Sequence, residues 1–298
     1  MRILLTGANG QVGHALREPL SAIGEVHAFD RAGLDLANPD AIRRACREIA
    51  PALIVNAAAY TAVDRAESEP ELARAVNGVA PGVFAKEARR LGAALIHYST
   101  DYVFDGTKRS PYVETDETAP LNVYGRSKLE GERRIAAAGC KHLIFRTSWV
   151  YGPRGKNFML TMLKLAKERD ELRIVDDQRG SPTSSLFLAE ATLRAIRAIP
   201  SQGVASGVYH LTAAGTTTWA RFAEAIFALA SARCGLRSPR VVRISTTEYP
   251  TPARRPAYSA MAPQKLSAAF GFKPSSWRHQ LSGCFDRLPA QPAPSAGT

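Results

Sequence analysis

A tyrosine and a lysine stand four positions apart in Tyr124-Gly125-Arg126-Ser127-Lys128, a segment predicted to open a helix after Asn122. Residues i and i+4 share one helix face, so the phenol and the ammonium group project together. An ordinary tyrosine has a pKa near ~10 and is a poor proton donor at neutral pH. A nearby cation and the positive end of a helix favour the phenolate, so we expect a lowered pKa for Tyr124 and a role as acid in carbonyl reduction.

A threonine at the end of a predicted strand supports this interpretation, because the Tyr-x-x-x-Lys spacing also occurs by chance. The apolar segment 93–99 runs into Ser99-Thr100-Asp101, which places Thr100 24 residues before Tyr124. A hydroxyl at the carboxyl end of that strand can bond the substrate oxygen that the tyrosine protonates. Thr100, Tyr124 and Lys128 are therefore the candidate catalytic residues. The alternative is an ordinary helical surface pair and a strand cap with no ligand.

A glycine-rich turn, Thr6-Gly7-Ala8-Asn9-Gly10-Gln11-Val12-Gly13, lies between the first predicted strand and the first predicted helix. Its Gly-x-x-Gly-x-x-Gly spacing is a variant of the dinucleotide fingerprint, in which small residues bring backbone N–H groups and a helix N-terminus up to a pyrophosphate. The spacing alone is weak evidence, and its place in a strand-turn-helix unit strengthens it. We expect Gly7, Gly10 and Gly13 to lie against a bound dinucleotide.

Two charged residues at the end of the second predicted strand bear on the choice of cofactor. Asp30 lies 20 residues after Gly10, where a carboxylate can accept hydrogen bonds from the adenosine ribose. Arg31 follows and can face a 2′-phosphate instead. We expect both NADH and NADPH to serve, with a preference under about tenfold, or ~1.4 kcal/mol. A solvated strand-end carboxylate is the alternative for Asp30, and Asp35 with Leu36 is expected over the adenine.

Alternating strands and helices position these residues. Apolar segments predict strands at 2–6, 26–30, 53–56, 93–99 and 143–147, and helices are predicted at 11–23, 38–49, 81–91 and 123–137. Fully apolar strands alternating with helices indicate an α/β protein with a doubly wound parallel sheet of the Rossmann type. We expect a dinucleotide-binding domain over 1–150, to which later segments return. A smaller, mainly substrate-binding domain is expected over 151–287, and a disordered tail over 288–298.

Composition excludes several classes of protein. The chain has 298 residues, 45% of them hydrophobic, which is enough for a sizeable core. The four cysteines show no metal-ligand or redox spacing, and no segment is predicted to be a signal peptide or a membrane span, so a cytoplasmic protein is expected. Residues 151–298 carry 20 of the 39 basic side chains but only 9 of the 27 acidic ones. This excess suits an anionic small molecule or a solvated surface, and no dense basic run indicates nucleic acid.

The chain resembles the extended short-chain dehydrogenases/reductases over about residues 1–285. Within that family it is similar to the enzymes that complete dTDP-L-rhamnose synthesis. The stretches that carry the resemblance are Gly10-Gln11-Val12-Gly13, Val55-Asn56-Ala57-Ala58-Ala59, Thr61-Ala62-Val63-Asp64, His97-Tyr98-Ser99-Thr100-Asp101-Tyr102-Val103-Phe104, Pro120-Leu121-Asn122-Val123-Tyr124-Gly125, Phe145-Arg146-Thr147-Ser148-Trp149-Val150-Tyr151, Gly215-Thr216-Thr217-Thr218-Trp219, Tyr249-Pro250-Thr251-Pro252-Ala253 and Arg255-Pro256.

The resemblance implies hydride transfer from NADPH or NADH to the C4 carbonyl of dTDP-4-dehydro-L-rhamnose, which gives dTDP-L-rhamnose. It implies that Tyr124 donates the proton, that Lys128 binds the nicotinamide ribose, and that Thr100, Asp101 and Trp149 contact the sugar. The cofactor would be lined by Gly10, Gln11, Val12, Asp30, Asp35, Leu36, Ala59, Tyr60 and Thr61. For the diphosphate of the substrate, the best candidates are Arg254 and Arg255, held between prolines in a stiff loop.

One departure from the family and two alternatives remain open. Some members are dimers bridged by magnesium through glutamates, but the matching positions here are Ala15 and Leu186, which cannot ligate a hard cation. A homodimer is possible, a metal-bridged one is doubtful, and no metal site is predicted. The first alternative function is another nucleotide-sugar reductase or epimerase. The second is a non-catalytic regulatory subunit resembling that of methionine adenosyltransferase.

Overall fold

The structure, a computed structural model, describes residues 1–201 and 205–288. Most of the predicted tail, 289–298, lies outside the described residues. Leu288, assigned to that tail, packs instead against the apolar cluster formed by the C-terminal helices.

Strands and helices alternate along the described chain much as the sequence predicts. The elements are β1 Arg2–Thr6, α1 Gln11–Ser21, β2 Glu25–Phe29, α2 Pro39–Ile49, β3 Leu53–Asn56, α3 Val63–Ala66, α4 Pro70–Arg74, a π-helical turn Ala75–Val79, α5 Ala80–Leu91, β4 Ala94–Thr100, α6 Val123–Ala138, β5 Lys141–Thr147, β6 Val150–Tyr151, α7 Phe158–Glu168, β7 Glu171–Val175, β8 Arg179–Gly180, β9 Thr183–Ser184, α8 Ser185–Ser201, β10 Gly207–His210, β11 Thr217–Thr218, α9 Trp219–Cys234, β12 Arg240–Ile244, α10 Gln264–Phe270 and α11 Trp277–Phe285.

Six strands form the central sheet in the order β10-β5-β4-β3-β1-β2, and every pair in it is parallel. Its order reverses next to β1, the switch point at which ligands of such sheets bind. The sixth strand, β10, comes from the second half of the chain. This architecture confirms the predicted α/β class with a parallel sheet.

Helices cover both faces of the sheet. One face packs against α1, α8 and α10, and the opposite face packs against α2, α5 and α6. A third apolar cluster, built from α7, α9 and α11, lies outside these two layers. The described residues thus form one core on the two faces of the sheet and another in the C-terminal half. A smaller cluster is formed by Val103, Phe104, Tyr112, Leu129 and Met261. The boundary near residue 150 stays a prediction.

Local signals explain where the helices begin and end. The Asn38 side chain caps α2 by accepting from the N–H groups of Asp40 and Ala41, and Pro39 occupies the first turn. Asn122 caps α6 in the same way, and Gly139 ends that helix in the left-handed region, with φ of 69°. The predicted bounds are therefore right to within about two residues, as expected for helix ends.

None of the helices in the described ranges combines the length and apolar character needed to span a bilayer. The four cysteines are free: Cys46, Cys140 and Cys284 are buried, and Cys234 is exposed.

Candidate active site

The glycine turn joins β1 to α1 at the carboxyl edge of the sheet, and two of its glycines cannot carry a side chain. Gly7 has φ of 70°, in the left-handed region. A Cβ on Gly13 would lie 2.1 Å from the Gly7 carbonyl oxygen, so α1 can pack against the turn only without one. Because these glycines have no side chain, the backbone of the turn can approach a ligand closely.

The residues around this turn fit a dinucleotide pyrophosphate. No side chain caps the N-terminus of α1, which begins after Gly10, so its first N–H groups remain available to an anion. A cleft of about 250 Å³ opens at this point and is lined by Asn9, Gly10, Gln11, His14, Arg154 and Gly155. The Gln11 Oε1 atom is buried with no hydrogen-bond partner in the described chain. Positive helix-end charge and Arg154 together make the cleft suitable for phosphate.

Asp30 follows β2 beside the turn, as the sequence predicts. One carboxylate oxygen accepts from the N–H groups of Ala32 and Gly33, and the other accepts from Asn9 Nδ2 at 2.8 Å. Arg31 is exposed and makes no ion pair with any described residue. The carboxylate thus shapes the loop that follows β2, and the guanidinium of Arg31 extends from the same loop without a described ion-pair partner. Contact of either side chain with a dinucleotide stays a prediction.

We expect Asp30→Asn to shift the kcat/KM ratio towards NADPH and Arg31→Ala to shift it towards NADH, each by roughly three- to tenfold. Asparagine keeps the oxygen that bonds Ala32 and Gly33, and its NH₂ can donate to the Asn9 side-chain oxygen once that amide turns over. Asp30→Asn therefore removes charge while retaining the loop contacts. Initial rates with both cofactors measure the two shifts, and Asp40→Asn on the exposed start of α2 is the control. A thousandfold preference in the wild type would contradict this interpretation of the pair.

The segment after β3 brings small residues to the same edge. Ala59 and Tyr60 are partly exposed, and Thr61 is exposed. The Asn77 side chain fixes this backbone, because its Oδ1 accepts from Tyr60 N–H at 2.8 Å and its Nδ2 donates to the Tyr60 carbonyl at 3.0 Å. The Tyr60 hydroxyl donates to Glu69. The structure places these three residues where a cofactor could lie along the backbone.

Asp35 and Leu36 are less well placed for the adenine. Leu36 is 6% exposed and belongs to the apolar cluster under the sheet. Asp35 is exposed, and its carboxylate accepts from Ala37 N–H. The Leu36 side chain thus packs in the core, and contact of Asp35 and Leu36 with adenine stays a prediction.

Thr100, Tyr124 and Lys128 come together at the end of β4. Tyr124 lies in the first turn of α6, and its ring packs edge-on against Tyr102. Burial raises the pKa of Tyr124 to about 12, and the Thr100 hydroxyl opposes part of that rise while Asp101 adds to it. The expectation of a lowered pKa for Tyr124 is therefore wrong, because burial decides the net direction. The phenol remains protonated throughout the neutral range, which is the state a proton donor needs.

Lys128 points into the sheet and is 1% exposed. Its Nζ donates to the Tyr98 carbonyl at 2.5 Å and lies 3.2 Å from His97 Nε2. Burial lowers the pKa of Lys128 to about 8, and the neighbouring Glu132 carboxylate works in the opposite direction. The ammonium group is thus buried and held by β4.

Asp101 follows Thr100 directly and is 2% exposed. Burial raises its pKa to about 7, opposed by hydrogen bonds from Ser259 and Thr100. Its Oδ2 has no partner within the described chain. A buried carboxyl oxygen without a partner is costly in a folded protein, so this oxygen is open to a ligand hydroxyl. Contact of Asp101 with the sugar stays a prediction.

Trp149 lies after β5 in a strained backbone conformation, with φ of 47°. Its ring stacks on Trp219, with centroids 3.5 Å apart and planes 4° apart. A Cβ on Gly180 would come within 2.5 Å of the indole, so the glycine makes room for it. Strain of about 1–3 kcal/mol persists where the surroundings fix it, and it concentrates at functional sites.

The two arginines predicted to hold the diphosphate differ in their surroundings. The carboxylate of Asp64 accepts from the Arg255 guanidinium at 2.9 and 3.1 Å. Arg254 is exposed and makes no ion pair in the described ranges, and its carbonyl accepts from Asn122 Nδ2 at 2.7 Å. Arg255 is thus already paired with a carboxylate, whereas the side chain of Arg254 has no described ion-pair partner and is the better placed of the two for an anion. Contact of either arginine with the diphosphate stays a prediction.

Sequence reasoning missed several residues of the site. His97 and Asn56 are buried polar residues inside apolar strands, a signal that could have marked them. Trp219 and Arg154 reach the site only through the tertiary fold. Their sequence spacing gives no sign of it.

Ala15, in the middle of α1, and Leu186, in the first turn of α8, occupy the positions where some family members have magnesium-binding glutamates. Both residues pack against apolar clusters. Among residues 1–201 and 205–288 there is no group of three His, Cys, Asp or Glu side chains arranged to hold a metal. The oligomeric state stays a prediction.

Comparison with known proteins places the chain in a family. Residues 1–289 match the family described as the RmlD substrate binding domain. A dTDP-4-dehydrorhamnose reductase from Burkholderia thailandensis is 48% identical over 298 residues, which covers 98% of this chain and all of the relative.

Two solved structures are also similar. A dTDP-4-dehydrorhamnose reductase from Clostridium acetobutylicum has a TM-score of 0.89 at 39% identity, covering 96% of this chain and 99% of that one. The reductase of the same name from Bacillus anthracis, solved in complex with NADP, has a TM-score of 0.88 at 36% identity, with the same coverage.

Proposed function

The chain belongs to the RmlD family of dTDP-4-dehydrorhamnose reductases, and from this premise we propose which of its residues carry the reduction. It is an NAD(P)H-dependent oxidoreductase of dTDP-rhamnose biosynthesis that reduces the C4 carbonyl of dTDP-4-dehydro-L-rhamnose to the alcohol. The observation that carries the assignment of roles is the meeting of Thr100, Tyr124 and Lys128 beside the glycine turn.

The cofactor half of the cleft is formed by the turn and the ends of β2 and β3. Gly7, Gly10 and Gly13 allow the backbone to approach the pyrophosphate, and the N–H groups of Gln11 and Val12 face it at the start of α1. The carboxylate of Asp30 and the backbone after β3 flank the remainder. When bound, the reduced nicotinamide supplies the hydride.

Thr100 and Tyr124 act on the carbonyl oxygen of the substrate. The Tyr124 phenol lies within hydrogen-bond reach of the Thr100 hydroxyl, whose hydrogen points to Asp101 Oδ1 at 3.0 Å. Rotation of that hydroxyl towards a bound carbonyl oxygen would let the oxygen accept hydrogen bonds from both Thr100 and Tyr124. As the C4 carbon is reduced, its oxygen becomes an alkoxide, a stronger base than phenolate. The Tyr124 proton therefore moves to that oxygen, even though burial raises its pKa to about 12.

Lys128 stabilises the charge that this transfer leaves on Tyr124. The two side chains share one face of α6, and the buried ammonium group acts in a medium that screens charge weakly. We assign its remaining N–H to the nicotinamide ribose, because two of its three donors are already bonded to β4. Lys128 thereby serves both the proton donor and cofactor binding.

The sugar lies between the end of β4 and the C-terminal half of the chain. Asp101 offers an unpartnered carboxyl oxygen to a sugar hydroxyl, and Trp149, backed by Trp219, offers an apolar ring face. Ser259, which bonds Asp101, and the loop at Arg254 border the same space. A 6-deoxy sugar, apolar at one edge and hydroxylated at the other, matches these two surfaces.

We expect Arg254→Ala to raise the KM for the dTDP-sugar by roughly tenfold or more, at ~1.5–3 kcal/mol for a hydrogen bond to a charged group. KM for NADPH should not change, because its pyrophosphate binds at the glycine turn. Arg255→Ala is the comparison. It breaks the ion pair with Asp64, so it should lower the melting temperature, as Asp64→Asn also should. Unchanged KM in Arg254→Ala would place the diphosphate elsewhere.

The function is tested by following NADPH oxidation with the 4-keto dTDP-sugar freshly prepared by its upstream enzymes. Oxidation coupled to formation of dTDP-L-rhamnose is the expected result. If a 4-epimer of that sugar formed, the scaffold would serve another nucleotide-sugar reaction. If neither NADPH nor NADH were oxidised, the chain would be a non-catalytic binding protein that keeps Thr100, Tyr124 and Lys128.

A further inference from the structure

A chain of buried hydrogen bonds runs from β1 to Lys128 through His97. The Thr6 hydroxyl lies 2.7 Å from Asn56 Oδ1, and Asn56 Nδ2 lies 3.1 Å from His97 Nδ1. His97 Nε2 lies 3.2 Å from Lys128 Nζ. All four side chains are at most 1% exposed. Burying four polar side chains costs free energy unless each of them forms hydrogen bonds. Here each side chain of the series bonds the next one.

The Lys128 ammonium group has three N–H donors and no acceptor. One donates to the Tyr98 carbonyl at 2.5 Å, and a second is directed at His97 Nε2. Both partners belong to β4, a strand in the middle of the sheet. The N–H bonds of an ammonium group point in tetrahedral directions. When two of them are held by groups on a rigid strand, the direction of the third N–H is fixed as well.

We propose that His97 is a positioning residue, which orients the Lys128 ammonium group so that its third N–H faces the phenol and the cofactor ribose. The proposal rests on the role given to Lys128 above. Under this proposal β4 carries two residues of the site. One is Thr100, which binds substrate, and the other is His97, three residues earlier, which orients Lys128. Substrate contact and lysine orientation are then set by one strand.

The proposal fixes the protonation of the imidazole. A charged lysine can only donate, so Nε2 must be an acceptor and the neutral ring must carry its hydrogen on Nδ1. Asn56 must then turn its side-chain oxygen to the ring and its NH₂ to Thr6, an exchange that leaves the shape of the amide unchanged. Burial and the adjacent Lys128 both lower the pKa of His97, which is consistent with a neutral ring.

The charged groups around Lys128 set the direction of the expected pH effect. From α6 itself comes Glu132, which is paired with Arg146 of β5 at 2.7 Å, and from β4 comes His97. Burial lowers the pKa of Lys128 to about 8, whereas Glu132 raises it. An acceptor at His97 Nε2 also favours the ammonium form. Removing that acceptor must therefore lower the pKa of Lys128 further.

Two variants separate orientation from packing. In His97→Gln the amide reaches the position of Nε2 and keeps an acceptor for Lys128, whereas in His97→Asn it reaches only the position of Nδ1. We expect kcat of the wild type to fall as the pH rises past about 8. In His97→Asn this basic limb should move down by about one pH unit, so kcat at pH 8 should fall roughly fivefold as the protonated fraction of Lys128 decreases. In His97→Gln, the position of the basic limb and the kcat at pH 8 should both be close to their wild-type values.

Selective ¹⁵N labelling of histidine supplies a readout that does not depend on activity. The His97 resonances, assigned by their loss in His97→Gln, should show an unprotonated Nε2 and no titration between pH 5 and 9. A hydrogen on Nε2, or the same pH profile in His97→Asn and the wild type, would overturn the proposal. An inactive wild type with the expected tautomer would instead overturn the proposed function while leaving the geometry of Lys128 intact.

Discussion

Tyr124→Phe is expected to lower kcat by roughly 10²–10⁴, the range for a positioned general acid. The phenylalanine ring keeps the edge-on packing against Tyr102 and removes only the hydroxyl. The Kd for NADPH should therefore stay at the wild-type value. Since burial raises the pKa of Tyr124 to about 12, the phenol is not the group whose titration limits activity near pH 8.

Steady-state kinetics and NADPH titration by fluorescence check this expectation, with Tyr209→Phe as the matched control. The Tyr209 hydroxyl donates to the Ala205 carbonyl before β10, at the amino edge of the sheet, away from the carboxyl edge that holds the site. The same loss of one hydroxyl should leave kcat unchanged there. Wild-type turnover in Tyr124→Phe would remove Tyr124 from the mechanism.

Much of the first half of the fold could be predicted because its signals are local. Fully apolar strands, the Asn38 cap with Pro39 and the glycine turn each act within a few residues of sequence. The same holds for the spacing that puts Tyr124 and Lys128 on one face of α6. Local patterns of this kind agree with the global fold, as expected for natural sequences.

The remaining features depend on contacts between distant segments. The edge strand β10 follows β5 by some sixty residues, and no periodicity predicts that it pairs there. Arg255 has its partner at Asp64, and Trp149 has its partner at Trp219. The pKa of Tyr124 is raised, whereas the sequence predicts that it is lowered, and the reason is again a contribution from distant segments. Burial by the whole fold outweighs the nearby cation that the sequence shows.

Lys128→Met is expected to lower kcat by roughly 10²–10³, the loss typical when one preorganised electrostatic donor is removed. The KM for NADPH should rise about tenfold, because the same ammonium group would bond the cofactor ribose. The decline of kcat near pH 8 should disappear, because the group that titrates there is gone. Lys164→Met, on the exposed side of α7, is the control and should behave as the wild type.

Stability provides an independent measurement on the same variant. Burial lowers the pKa of Lys128 from 10.5 to about 8, so between these pH values the unfolded chain binds more protons than the folded one. Lys128 therefore adds to the free energy of unfolding as the pH increases through this window. The buried thiols of Cys46, Cys140 and Cys284 act in the opposite direction above about pH 9, because burial raises their pKa values, but they do so equally in every variant. Between pH 7 and pH 10, the free energy of urea unfolding should therefore change less favourably for Lys128→Met than for the wild type and Lys164→Met. The same change in all three proteins would mean that Lys128 keeps an ordinary pKa in the folded chain, and the basic limb of the activity profile would then need another origin.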